Sequence, residues 1–267
     1  MKNFLKSLYL TLTNSLQPNG DSLMTTRENE GTDDWLSTDI PDFQGRKVFV
    51  LNGAFYGSCV SFFAQAGFEK ADDIEDADVV VFIGGADVDP ELYNQDVHER
   101  TSFDRRRDDY EAEVYKTCVA LGKIMFGICR GAQFLHVMNG GELWQHVENH
   151  AGNDHFIIDI DEDLRVQANS YHHQMIQANH DIEVVAVCED QVSKKFQSPD
   201  LFLDLSSEGK EFPHELEIEA GAYENTKCFF VQGHPEVGNA AYKSWCLTRF
   251  NDYLTDWEFV ETDEPND

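Results

Sequence analysis

A single cysteine lies between two glycines where the sequence predicts that a strand passes into a helix. The junction reads Gly-Ile-Cys-Arg-Gly over residues 127–131, and the mostly apolar run Lys123–Ile128 is typical of a buried strand. One residue at such a junction must make a sharp turn, which would lift the Cys129 sulfur out of the sheet. It would also place the sulfur at a helix N-terminus, where the dipole favours the thiolate. The pattern indicates a nucleophile; a buried structural cysteine in an ordinary joint is the alternative.

A candidate base follows a second apolar run, in the segment Val-Gln-Gly-His-Pro-Glu over residues 231–236. Residues i and i+2 of an extended chain point the same way, so Glu236 can bind one ring nitrogen of His234 and leave the other free. An isolated His-Pro-Glu is more often a loop. Together with the elbow, it predicts a catalytic triad of Cys129, His234 and Glu236.

A third element could stabilise negative charge. The run Asp78–Ile83 predicts a strand, and Gly84 and Gly85 follow it. Glycines after a buried strand expose backbone N–H groups, which could form an oxyanion hole near Gly85 together with the N–H of Arg130. A plain strand-to-loop turn is the alternative.

The surrounding chain alternates strands and helices, which predicts a flavodoxin-like three-layer α/β sandwich. We expect a mostly parallel central sheet, helices on both faces and antiparallel edge strands. The predicted strands cover 46–51, 78–83, 123–128, about 155–160, 183–188, 216–223 and 228–232. The predicted helices cover 56–66, 108–121, the segment after Cys129 and about 239–254. Because loops at the carboxyl ends of such strands form ligand sites, Cys129, Gly85 and His234 are expected at one sheet edge.

The sequence predicts one catalytic domain over residues 46–255. Residues 1–45 are expected to be a disordered extension or a weak amphipathic helix followed by a polar linker, and residues 256–267 an acidic, solvated tail. The polar stretch 189–215 is expected to be a surface insertion, acting as a lid or a partner-docking loop.

Composition excludes several classes of partner. With 50 acidic and 20 basic residues, the formal net charge is −30, which argues against nucleic-acid and anionic-membrane surfaces. No apolar run approaches the length of a membrane-spanning helix. The six cysteines show no compact disulfide framework, so reduced thiols and a cytoplasmic enzyme are expected.

The sequence predicts neither a cofactor nor a metal. No Cys-x-x-Cys pair is present. His146, His150 and His155 are spaced as metal ligands could be, but no carboxylate pattern accompanies them, so we expect no metal site.

Five segments in order resemble class I glutamine amidotransferases, and most of all the branch that includes the γ-glutamyl-γ-aminobutyrate hydrolases. They are GGADVDPELY at 84–93, RRDDYE at 106–111, GICRGAQFLHVMNGGELWQ at 127–145, NSYHHQMI at 169–176 and VQGHPE at 231–236. The resemblance covers about 210 residues, from Lys47 to Leu254.

The resemblance implies that Cys129 attacks a γ-carboxamide and forms a γ-glutamyl thioester. It also implies substrate contacts at the glutamyl end for Gln133, Ser170, Tyr171 and His172. Gly233 stands where the family usually has a bulky aromatic, which predicts an open wall beside His234. His136 replaces a usual asparagine.

Three functions are therefore considered. The chain could be a glutaminase unit that supplies ammonia to a synthetase in trans, or a free-standing hydrolase of γ-glutamyl amines or peptides. The third is a catalytically inactive binding domain, against which the intact Cys129, His234 and Glu236 argue.

Overall fold

A computed structural model describes residues 40–205 and 216–262. The helices are α1 Tyr56–Gln65, α2 Arg105–Ala120, α3 Arg130–Met138 and α4 Ala240–Thr262. The strands are β1 Lys47–Val50, β2 Glu69–Lys70, β3 Val79–Phe82, β4 Ile124–Ile128, β5 Leu143–Trp144, β6 His146–Val147, β7 His155–Asp159, β8 Leu164–Ala168, β9 Met175–Ile176, β10 Glu183–Cys188, β11 Lys195–Ser198, β12 Leu201–Asp204, β13 Ile218–Tyr223 and β14 Cys228–Val231. Three short 3-10 turns cover Pro90–Tyr93, Glu224–Thr226 and Pro235–Val237.

The main sheet has nine strands in the order β2-β1-β3-β4-β14-β13-β10-β7-β8. The half from β2 to β14 is parallel, and the half from β14 to β8 is antiparallel. Apolar runs buried on both faces suit the parallel half, because helices cover both sides of such a sheet. The predicted combination of a parallel centre with antiparallel strands towards one edge is confirmed.

Helices pack on both faces of the sheet, which confirms the three-layer sandwich. On one face α1 and α4 bury Phe63, Trp245 and Phe250 against the sheet. On the other face α2 and α3 bury Val114 and Phe134.

Two helix ends differ from the predicted ones. Helix α2 begins at Arg105, three residues before the predicted start, because the Asp104 side chain accepts hydrogen bonds from two N–H groups of the first turn. Helix α4 continues to Thr262, beyond the predicted end near 254. Buried Trp257 packs on Tyr253, and Glu258 pairs with Arg46, so the acidic composition does not end the helix.

The ends of the polar segments also differ in part from the prediction. Phe43, within the predicted linker, is fully buried and stacks on Phe68 at 4.5 Å between ring centroids. In the predicted insertion, β11 and β12 form a hairpin that pairs with β6, and Phe196 packs on Trp144. Residues 1–39 and 206–215 lie outside the described chain, so the extension and the proposed lid stay predictions. No helix among the described residues is long and apolar enough to cross a membrane.

Candidate active site

Cys129 occupies a strained turn between β4 and α3. Its φ of 54° and ψ of −112° are unusual for a residue other than glycine, and it is the N-cap of α3. Its side chain makes no capping hydrogen bond. Cys129 therefore lies at the helix N-terminus, as the sequence predicted. Its side chain does not cap the helix.

The two glycines flanking the elbow are required by close packing. A Cβ at Gly131 would overlap the carbonyl oxygen of Phe82, at the end of β3. A Cβ at Gly127 would lie 2.9 Å from backbone atoms of Ala132. Any side chain at either position would push α3 away from the strands and displace Cys129.

His234 and Glu236 are held together after β14. The Nδ1 of His234 lies 2.6 Å from Glu236 Oε1, and both side chains are buried. β14 pairs in parallel with β4, and Ile128 is opposite Val231, so the loops carrying Cys129 and His234 leave adjacent strands at the same edge.

The environment of His234 favours its cationic form. Burial lowers the pKa of His234, but hydrogen bonds and charges from Cys129 and Glu236 outweigh it and raise this pKa to about 10. An imidazolium at this position would carry a positive charge beside the Cys129 side chain. Burial also raises the pKa of Cys59, which keeps this thiol protonated beside Glu236.

Asn169 holds the backbone of His234 on both sides. Its side-chain oxygen accepts from the His234 N–H at 2.7 Å, and its side-chain N–H donates to the His234 carbonyl at 2.9 Å. The segment before β9 therefore fixes the position of the candidate base.

Arg107 sets the orientation of the Gly84–Gly85 loop. Its guanidinium donates to the carbonyls of Ile83 at 2.7 Å and Gly84 at 3.0 Å. Because the peptide unit is planar and trans, the Gly85 N–H points away from Arg107. Gly84 packs against the His234 ring, where a Cβ would lie 2.8 Å from Cε1. Gly85 has φ of +150°, which suits only glycine.

The side chain of Arg130 ties the elbow to α2. Arg130 is 2% exposed and forms ion pairs with Asp108 and Glu111. Glu111 also accepts from Arg107 Nε at 2.7 Å, so the same carboxylate supports the elbow and the glycine loop. The sequence showed these residues only as a matching segment at 106–111. Only the three-dimensional packing shows that Glu111 supports both loops.

The structure separates the four residues predicted to contact substrate. Tyr171 is half exposed and lies 5.6 Å from the His234 ring. Gln133 is buried, and its amide donates to the Gln174 carbonyl at 3.3 Å. Ser170 and His172 are buried, and His172 Nε2 lies 3.7 Å from Glu219 Oε1. Their contacts with substrate stay predictions.

Phe55 is a rim residue that the sequence did not reveal. It is 48% exposed and meets the His234 ring edge-on at 5.2 Å. Its φ of 58° places it in the left-handed region just before α1, and no sequence signal marks this conformation for a phenylalanine. Phe55 and Tyr171 thus flank the candidate base.

The predicted open wall at Gly233 is wrong. A Cβ at Gly233 would lie 2.6 Å from Tyr242 Oη and 2.7 Å from the Asn169 carbonyl oxygen. The position therefore faces the packed interior, and no side chain larger than hydrogen fits there. His136 is also buried, 2.8 Å from Tyr223 Oη and 3.1 Å from the Glu142 carbonyl.

Known proteins resemble this chain in sequence over part of its length. Residues 55–159 match the Peptidase C26 family. The glutamine amidotransferase-like protein YvdE homolog of Lactococcus lactis subsp. cremoris is 30% identical over 119 residues. That alignment covers 37% of this chain and 63% of the relative.

Solved structures share the fold over most of the chain. PurLQS from Thermotoga maritima gives a TM-score of 0.53 at 17% identity, covering 79% of this chain and 99% of that one. A protein from Thermoplasma acidophilum that is described as a GMP synthase subunit gives a TM-score of 0.51 at 14% identity. That match covers 82% of this chain and 98% of the other one. At this level of identity the likeness concerns the fold alone.

Proposed function

Because the chain belongs to the class I glutamine amidotransferase superfamily, we propose that it hydrolyses a γ-glutamyl amide through a thioester on Cys129. The observation that carries the proposal is the strained Cys129 elbow beside a His234 that is bound to Glu236. A nucleophile, a base and a group that orients the base are the parts that such a reaction needs.

In the first half-reaction the Cys129 thiolate attacks the γ-carbonyl carbon of the substrate. The N–H groups of Gly85 and Arg130 stabilise the oxyanion that forms. The imidazolium of His234 then donates its proton to the departing nitrogen, which leaves as ammonia or an amine. The carbon–nitrogen bond breaks, and a thioester on Cys129 remains.

In the second half-reaction water attacks the thioester. His234, now neutral, removes a proton from this water, and the oxyanion again binds at the same two N–H groups. Collapse releases glutamate and restores the thiolate with its imidazolium partner. Glu236 stays ionised throughout and holds the His234 ring in place.

Gln133 and the Ser170–His172 segment are proposed to border the glutamyl end of the substrate. Among them Tyr171 lies at the open edge of the site, where it and Phe55 flank the His234 ring that protonates the leaving group. Because both side chains are about half exposed, this edge of the site has room for apolar or extended amines that a small enclosed pocket would exclude. This feature favours a free-standing hydrolase of γ-glutamyl amines.

Supply of ammonia to a separate synthetase is the second candidate. It is favoured by the fold shared with the protein named as a GMP synthase component. The two candidates share their chemistry and differ in whether the chain alone is fully active.

The test is an assay of the purified chain alone against glutamine and a series of γ-glutamyl amines. We expect rapid turnover of the amines and complete loss of turnover in Cys129→Ala. A glutamine-like alkylating agent should add one label, on Cys129. Cys188→Ala is the matched control, because Cys188 is the most accessible of the other cysteines, and it should keep full activity.

Slow turnover of every substrate by the chain alone would favour the synthetase-dependent function. Full activity of Cys129→Ala, or labelling of another cysteine, would refute the thioester.

A further inference from the structure

Three buried histidines converge on one glutamate at the antiparallel end of the main sheet. From Glu219 Oε1, the distances are 3.0 Å to His155 Nε2, 3.5 Å to His150 Nδ1 and 3.7 Å to His172 Nε2. His155, the most exposed of the four, is 9% accessible. None of the four residues belongs to the candidate triad, although His172 lies in the segment proposed to border the glutamyl end of the substrate.

The second ring nitrogen of each histidine faces an acceptor outside the cluster. These acceptors are Glu217 Oε1 for His150 at 3.2 Å, the Asn153 carbonyl for His155 at 3.2 Å and the Gln174 carbonyl for His172 at 2.9 Å. Since a carbonyl or carboxylate oxygen cannot donate, the outer nitrogens carry the protons. In the neutral rings, the inner nitrogens then present lone pairs to the centre.

The centre therefore collects more hydrogen-bond acceptors than donors. Among the described residues, His172 Nε2 and Glu219 Oε2 have no hydrogen-bond partner. The Ser170 hydroxyl lies 3.5 Å from His150 Nδ1 and can donate a hydrogen bond to that atom only. Lone pairs facing a buried carboxylate repel one another unless a positive charge lies between them.

We propose that a Zn²⁺ ion binds in a tetrahedral site to His150, His155 and Glu219, whose ligand atoms all lie within 4.8 Å of one another, with His172 as the fourth ligand. Zinc bonds to nitrogen and oxygen are about 2.0–2.2 Å long, which puts neighbouring donors of a tetrahedron about 3.3–3.6 Å apart. The three separations from Glu219 Oε1, 3.0–3.7 Å, bracket that edge. Three imidazoles and one carboxylate form a donor set that suits zinc.

The charges and the outer hydrogen bonds agree with this assignment. Glu217 accepts N–H groups of Val192 at 2.8 Å and Ser193 at 2.6 Å, and it is an anion like Glu219. Two carboxylates and one Zn²⁺ give a neutral buried cluster. Outer N–H groups that donate to a carboxylate or a carbonyl are the usual support of zinc-binding histidines.

A shared proton without a metal ion explains the arrangement of these side chains less well than Zn²⁺ does. A proton shared by His155 and Glu219 would satisfy the 3.0 Å contact between them. That proton would still leave His172 Nε2 without a hydrogen-bond partner, because this atom lies 3.7 Å from Glu219 Oε1. A metal satisfies all four inner atoms at once.

The sequence could not show this site, because its carboxylate lies 64 residues beyond His155. His146, the third histidine considered there, lies elsewhere, with its ring 6.2 Å from His98 and 5.7 Å from His173. With four protein ligands the ion would be structural. It would fix the Asn169–His172 segment, whose first residue holds the His234 backbone.

The experiment measures metal in the purified full chain by mass spectrometry, before and after dialysis against a chelator. We expect one Zn²⁺ per chain as isolated, a lower Tm after removal and recovery on adding Zn²⁺. Replacement by Co²⁺ should give the intense visible bands of tetrahedral cobalt. None of these measurements depends on the hydrolase reaction, so the site and the proposed function can fail separately.

Glu219→Gln and His155→Gln should lose the metal. An amide at position 219 can donate to an inner nitrogen, so this variant has a route to folding without the ion. His180→Gln is the control, because His180 is exposed and outside the cluster, and it should bind as wild type does. The proposal would be overturned if the Tm changed neither on treatment with chelator nor on addition of Zn²⁺, or if the Glu219→Gln protein kept its metal.

Discussion

The backbone N–H of Cys129 donates a hydrogen bond of 2.9 Å to the carbonyl oxygen of Val231. This bond continues the parallel ladder between β4 and β14 by one residue past Ile128. The candidate nucleophile is therefore fixed to the strand that delivers the candidate base, and the distance between them depends on the sheet more than on either loop.

Glu236→Gln should move the alkaline limit of catalysis to lower pH. With the pKa of His234 raised to about 10, the imidazolium survives through neutral pH. Its stabilising contribution is complete below the unfolded value of about 6.5 and is lost as pH rises through about 10. Loss of the carboxylate removes part of that shift, so kcat/KM should fall earlier as pH rises.

The measurement is kcat/KM from about pH 6 to pH 10 for wild type and Glu236→Gln. Exposed Glu224→Gln serves as the control. His234→Ala should cost about 10²–10⁴-fold in rate. An unchanged alkaline limb in Glu236→Gln would mean that Glu236 does not set the protonation of His234.

Gly131→Ala should destabilise the fold and abolish activity together. The added methyl would overlap the Phe82 carbonyl, and overpacking of this kind costs about 1–3 kcal/mol or more. Gly57→Ala is the matched control, because its Cβ meets nothing within 4 Å and it lies in α1. That change should stabilise the protein by about 0.5–1 kcal/mol.

Urea unfolding of both glycine variants tests this difference. Equal free energies of unfolding for the two variants would show that α3 can move away from β3 without cost.

Arg107→Lys should lower kcat while leaving the fold intact. A lysine has one ammonium group and cannot bind the carbonyls of Ile83 and Gly84 together with Glu111, so the oxyanion loop loses its fixed orientation. Loss of one oxyanion donor costs about 10²–10³-fold in kcat. The neighbouring exposed Arg106→Lys should be neutral.

The readout is the division of the effect between kcat and KM, measured beside the Tm. A variant with normal kcat would exclude Arg107 as a positioning residue for the Gly85 N–H.

His136 should make the protein sensitive to mild acid. Burial lowers the pKa of His136 to about 4, against small opposing effects of the Glu142 and Gln177 backbone. Because the folded pKa lies below the unfolded value, the unfolded chain binds protons first and stability falls as pH drops below about 6.5. Between pH 7 and pH 5 this residue should cost about 2 kcal/mol.

Chemical unfolding at the two pH values compares wild type with His136→Asn. The variant should lose less stability over that interval, whereas an equal loss in both proteins would assign the acid sensitivity to other groups.

The parts of the site that the sequence predicted depend on short-range patterns. Gly127, Cys129 and Gly131 are close neighbours between an apolar run and a helical run, and the i, i+2 spacing joins His234 to Glu236. Periodicity and steric rules suffice for such features.

The parts that it could not predict depend on distant residues brought together by the sheet. Arg107 reaches Gly84 across 23 positions, and His150 reaches Glu217 across 67. The position of Gly233 was misjudged for a related reason, since the residue that fills the space beside it, Tyr242, comes from α4. The prediction from composition that α4 ends near residue 254 was also wrong, because Trp257 packs on Tyr253 although its neighbours are acidic.

The middle strand of the nine-stranded sheet, β14, is also the last of its strands along the described chain. During synthesis, β4 and β13 therefore leave the ribosome with unpaired backbone edges that β14 later closes, and such open edges can pair with other chains. Nascent chains halted before residue 228 should therefore aggregate through these edges, whereas chains that expose residue 236 should lose this edge-dependent aggregation. The same strand brings His234 to Cys129, so the nascent protein closes its open strand edges and assembles the candidate triad in one event.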